Sequence, residues 1–219
     1  MNDNWNVREE LANSITHGIG FVLSIFGLIF LIFNSLGREE HGVLALISII
    51  IFGSSMILLY LCSTLHHSIY YHKTRRLFTI LDHCAIYIFI AGTYTPFLLI
   101  TLRGFLGWTL FSLVWSIAIG GIIFKSIFAD RYITLATLGY LLMGWLIIFA
   151  WGPLLQNLHF NGVVLTFIGG VTYSIGTIFF GWEKLPVLKK IKFPFVHSIW
   201  HLFVLTGSLL MFLSIYFYV

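Results

Sequence analysis

Seven stretches of about twenty apolar residues, separated by short polar connections, dominate what this chain can fold into. They run over 15–36, 43–65, 80–101, 105–125, 132–152, 162–182 and 196–218. Each is long enough, as a helix, to cross the hydrocarbon core of a bilayer, which takes about 20 residues at 1.5 Å per residue. In lipid a spanning segment must satisfy its own backbone hydrogen bonds, so the helix is the conformation that fits these runs. The expected fold is therefore all-α: a polytopic membrane protein built as a seven-transmembrane-helix bundle, one domain over 1–219, with 1–14 as a short cytoplasmic segment. Residues 4–14 read either as a short interfacial helix or as a polar tail.

Composition supports this and excludes other classes. Hydrophobic residues make up 59% of the chain and charged residues 9%, where soluble domains average about 45–50% and 25%. So few charges cannot coat a soluble globule. A soluble enzyme, a disordered regulator and a secreted water-soluble toxin are not expected. The net charge of +4 comes from short loops rather than a continuous basic stripe, so no nucleic-acid partner is expected. Cys62 and Cys84 are too few for a disulfide framework and read as small buried side chains. Arg8 is offset by Asp3, Glu9 and Glu10, so the start lacks the basic region of a secretory signal.

Orientation follows from the cationic residues. With seven spans, Arg8, Lys73, Arg75, Arg76, Lys125, Arg131, Lys184, Lys189, Lys190 and Lys192 share one side, and Arg38 and Arg103 the other. The positive-inside rule places the N-terminus in the cytoplasm and the C-terminus outside, in a multi-pass cell-membrane protein. Trp5, Trp108, Trp151 and Trp182 fall near span ends, as an aromatic belt requires.

Ionisable groups inside apolar spans are costly and each needs a reason. Asp82 is the one acidic residue inside a predicted span. His197 and His201 are spaced i, i+4, which puts both imidazoles on one helical face. His67 ends the second span, with Ser63 one turn before it on the same face. The predicted topology puts His67, Asp82, His197 and His201 at one depth, near the inner leaflet. Three histidines and a carboxylate from three helices can make a tetrahedral zinc site, and three histidines plus water is the open form used in catalysis. His17, His83, Cys62 and Cys84 share that level, so a mixed Cys/His site is a rival. His66 is a rival to His67, one residue away. Pro96 should kink the third span. Gly120–Gly121, Gly139 with Gly144, and Gly169–Gly170 with Gly176 read as close helix contacts.

The combination Ser63-Thr64-Leu65-His66-His67, Leu81-Asp82-His83 and His197 to His201 resembles the hemolysin III proteins. They form the bacterial branch of the progestin and adipoQ receptor superfamily, distantly similar to alkaline ceramidases. Asn13-Ser14-Ile15-Thr16-His17-Gly18 and the stretch 92–97 share that likeness, which covers essentially the whole chain. The resemblance implies a zinc ion on His67, His197 and His201. It implies that Asp82 contacts the zinc-bound water as a catalytic residue and that Ser63 supports it. An inner-leaflet zinc site acting in membrane lipid homeostasis is expected, as a zinc-dependent lipid amide or ester hydrolase with membrane lipids as partners. The alternatives are a pore-forming cytolysin, which the family's name implies, and a non-catalytic receptor-like protein with structural zinc.

Overall fold

A computed structural model of the chain describes residues 6–38, 42–129, 131–182 and 194–219. Trp5, Lys184, Lys189, Lys190 and Lys192, which bear on the predicted topology, lie outside the described residues. The described residues contain helices and no strand. In chain order the helices are α1 (Val7–Leu36), α2 (Val43–Ser68), α3 (His72–Pro96), α4 (Gly104–Phe128), α5 (Ile133–Gly144), α6 (Trp151–Asn157), α7 (Phe160–Trp182) and α8 (Val196–Tyr218). A π-helical turn, Phe97–Leu102, extends α3, and a 3-10 segment, Leu146–Ala150, joins α5 to α6. Taken with these extensions, seven helices among the described residues are long and apolar enough to cross a membrane.

Two helices start earlier than their apolar runs suggest. α1 begins at Val7, with Glu9 and Glu10 in its first turn, where carboxylates complement the helix dipole. α3 begins at His72, so only Ile69–Tyr71 separates it from α2. Both extensions are charged, and hydropathy alone stops where charge starts.

Helix α1 is apolar outward and mostly small or polar inward. On α1 the buried residues are Asn13, His17, Gly20, Ser24, Gly27, Leu31 and Ser35, a stripe at helical spacing. Ile15, Ile19, Val22, Phe26 and Phe33 face outward. Lipid is as apolar as leucine, so burial of large side chains does not drive helix association here; small residues that admit close approach do. Leu28 of α1 packs where a side chain on Gly53 of α2 would stand, and Tyr60 and Leu205 pack the same way against Gly20. Gly121, Gly139, Gly169 and Gly176 are close contacts of this kind. Gly120, Gly144 and Gly170 are not: a Cβ at any of them would meet nothing within 4 Å.

The long fifth span is interrupted at Trp145. The break leaves backbone groups without helical partners at membrane depth, where each must find another. Tyr94 of α3 supplies one: its hydroxyl lies 2.7 Å from the Gly144 carbonyl and accepts from the Ile147 amide at 3.0 Å. Trp145 is tied to α7 by its indole, which donates to Ser174 Oγ at 2.9 Å. Pro153 falls in the first turn of α6, where a missing amide proton costs no helical bond. At Pro96 the α-helical pattern of α3 passes into the π-helical turn.

Candidate metal centre

The start of α1, the end of α2, the start of α3 and the start of α8 meet at one end of the bundle. His67 is the penultimate residue of α2; His197 and His201 lie in the first two turns of α8. The three imidazoles converge. One ring nitrogen from each lies within 4.8 Å of the other two, and ring centroids are 4.7–5.1 Å apart. Tetrahedral zinc with Zn–N near 2.05 Å needs ligand nitrogens about 3.3 Å apart. The nitrogens therefore stand at most about 1.5 Å beyond that spacing.

The donor set fits a zinc ion chemically. His67 and His201 are buried, at 4% and 1% exposure. His67 Nδ1 is bonded to Glu10 Oε2 at 2.8 Å, whereas its Nε2 is buried with no hydrogen-bond partner. A buried imidazole nitrogen without a partner is costly unless something takes its lone pair, and a metal ion would. His66 turns elsewhere, with Nδ1 3.1 Å from the Thr79 hydroxyl. His67, not His66, joins the α8 pair. Cys62 and Cys84 are buried free thiols, and neither belongs to a three-residue ligand group among the described residues.

Asp82 and Ser63 stand at the same place. They line a cavity of about 150 Å³ together with His17, His197 and His201. With α3 starting at His72, ten residues precede Asp82, so it projects from a helix interior rather than a helix start. The rest of the cavity wall is largely apolar and aromatic, including Ile86, Phe89, Tyr173, Phe180 and Trp200. A second, smaller cavity shares Tyr94, Gly144, Trp145, Gly170 and Met211 with the first. It carries the apolar space along the bundle towards Phe97 and Trp151.

From the sequence, Asn13 to Gly18 stands out for its family likeness, and Glu9 and Glu10 are given no part in the site. Thr16 Oγ1 and the Asn13 carbonyl lie 3.1 and 3.2 Å from His201 Nδ1, and Asn13 Oδ1 accepts from Ser198 Oγ at 2.5 Å. Glu9 Oε1 accepts from the Phe195 amide. His17 stacks on His201, with ring centroids 3.5 Å apart and planes 12° apart. The spacing of Glu10, Asn13 and His17 at i, i+3 and i+7 was the available signal, because it marks one helical face.

Residues 5–212 match the family described as haemolysin-III related. The chain belongs to the haemolysin-III family. It is 57% identical over 214 residues to the Hemolysin-3 of Bacillus cereus, covering 97% of this chain and 93% of that protein. It is 51% identical over 214 residues to the Hemolysin-3 homolog of Bacillus subtilis (strain 168), covering 98% and 96%. A distant similarity, 28% over 218 residues, links it to the human Monocyte to macrophage differentiation factor, with 96% and 84% covered. Membership agrees with the likeness carried by Ser63, His67, Asp82, His197 and His201.

Proposed function

We propose that this haemolysin-III family member is a zinc-dependent hydrolase of membrane lipids that cleaves an amide or ester bond and serves membrane lipid homeostasis. One observation carries the reading: His197, His201, Asp82 and Ser63 line a single apolar cavity, at the point where His67 completes a three-histidine group. His67, His197 and His201 would hold the ion and leave a coordination position open. Zinc bound there supplies a Lewis acid for a carbonyl and acidifies a water molecule. Asp82 would be the proton acceptor of the cavity, and the Ser63 hydroxyl would orient its carboxylate. The aromatic and aliphatic wall takes the lipid chain and excludes bulk water. The cation bias of the loops supports a cytoplasmic N-terminus, which puts the site in the inner leaflet.

Elemental analysis of the purified protein beside a His197→Ala/His201→Ala variant tests the site. About one zinc per chain in the wild type, absent from the variant, is expected. Asp82→Asn should keep the zinc and lower lipid cleavage by about 100-fold or more. A wild type without zinc sinks the reading. Zinc with no cleavage of any lipid amide or ester favours a structural ion in a receptor-like protein.

The names of the bacterial relatives at 57% and 51% identity favour a second reading, lysis by pore formation. Leakage of red cells by purified protein, above a detergent-only control, would support it.

A further inference from the structure

We infer that the first three turns of α1 are the positioning element of the metal centre, with Glu10 setting the tautomer and the aim of His67. This rests on the metal-site reading above and goes beyond it: Glu10, Asn13 and Thr16 touch no ion and act through the ligands.

Hydrogen bonding decides which ring nitrogen carries the proton. Glu10 Oε2 lies 2.8 Å from His67 Nδ1. A carboxylate only accepts, so Nδ1 bears the hydrogen, and in the neutral imidazole that a metal requires the lone pair is then on Nε2. That Nε2 is the buried atom without a hydrogen-bond partner. The same logic holds at the second ligand. The Asn13 carbonyl, 3.2 Å from His201 Nδ1, can only accept. Thr16 Oγ1 sits 3.1 Å from the same nitrogen, and its own proton is directed to the Ala12 and Asn13 carbonyls at 2.8 and 2.9 Å. Both acceptors leave His201 as the Nδ1–H tautomer with Nε2 available. Two ligands from two helices are thus turned the same way by one face of a third.

Glu10 is itself held. Its other oxygen, Oε1, accepts from Arg75 Nη2 at 2.8 Å, and Arg75 lies in the first turns of α3. The three side chains are mostly buried: exposure is 5% for His67, 18% for Glu10 and 17% for Arg75. Arg75 balances the charge of the Glu10 carboxylate and holds it in place. A carboxylate hydrogen-bonded to the far nitrogen of a ligating histidine fixes the ring and raises its basicity. Removing such a partner costs about 10–100-fold in metal affinity. The chain Arg75–Glu10–His67 also ties α1, α2 and α3 together at the mouth of the site.

The test is zinc affinity, measured by competition with a chromophoric chelator on the purified full-length protein, with no activity assay involved. Glu10→Gln should weaken zinc about 10–100-fold while the amount bound at saturation stays at the wild-type level. Glu10→Asp, which keeps the charge, should recover part of the loss. Arg75→Gln should weaken zinc less, since Glu10 loses its anchor but not its bond. His66→Ala, one residue from the ligand, should bind as the wild type does. Cobalt substitution adds a readout that a merely structural role would not move: the visible ligand-field bands should shift in Glu10→Gln and return towards wild type in Glu10→Asp. A wild type that binds no zinc defeats the metal-site reading, and this inference falls with it. A wild type that binds zinc beside a Glu10→Gln of equal affinity and unchanged cobalt spectrum defeats this inference alone. Should Glu10→Gln not fold, Glu10→Asp and Arg75→Gln decide it, and wild-type affinity in both overturns it.

Discussion

Tyr94 closes the break between α5 and α6 through Gly144: its hydroxyl lies 2.7 Å from the Gly144 carbonyl, and the same oxygen accepts from the Ile147 amide. In water, solvent would satisfy those backbone groups; inside a bilayer nothing else can. Tyr94→Phe strands a donor and an acceptor. It should destabilise the protein by about 1–3 kcal/mol, read as a lower melting temperature in detergent, with zinc content unchanged.

The two adjacent histidines of α2 should separate cleanly. His67→Ala should abolish zinc binding, because the remaining pair on α8 offers two ligands. His66→Ala should retain it, because His66 faces Thr79 on α3. Elemental analysis of both proteins decides this. Zinc loss in His66→Ala alone would reassign the ligand.

Gly170→Leu should fill the apolar space without disturbing the helices. A Cβ there meets nothing within 4 Å, and the residue lines both cavities. Leucine is also about 0.8 kcal/mol better than glycine in a helix. The expected outcome is an equal or higher melting temperature, unchanged zinc and reduced lipid cleavage. Unchanged cleavage would show that the lipid chain does not occupy this space.

Orientation is open to direct chemistry. Arg103 and Arg76 stand on opposite sides of the predicted topology. In intact cells a membrane-impermeant thiol reagent should label Arg103→Cys and leave Arg76→Cys unlabelled. Cys62 and Cys84 are buried and contribute little background. The reverse pattern would invert the bundle and move the metal centre to the outer leaflet.

How much of the site could be read in advance depended on the kind of residue. His197 and His201 were legible because i, i+4 spacing on one helix forces a shared face whatever the rest of the fold does. His67 and Asp82 were legible because span topology sets depth. The choice between His66 and His67 was not, since adjacent residues differ only by rotation of α2, and that rotation is set by packing against α1 and α3. Glu10 was missed altogether. Arg8-Glu9-Glu10 has the composition of a solvated tail, and a charge reads as solvated until its partners are known. Its partners lie 57 and 65 residues away.

The fold class followed from the sequence by itself. Apolar runs long enough to span a bilayer have one good backbone solution, and that constraint is local to each run. Only the tertiary structure decided which polar side chains meet. It turned His67 towards α8, carried α1 back to Val7 so that Glu10 reaches His67, and opened space rather than contact beside Gly144 and Gly170. These outcomes depend on helix rotation and packing, where a few close approaches at glycine outweigh the hydropathy of any single residue.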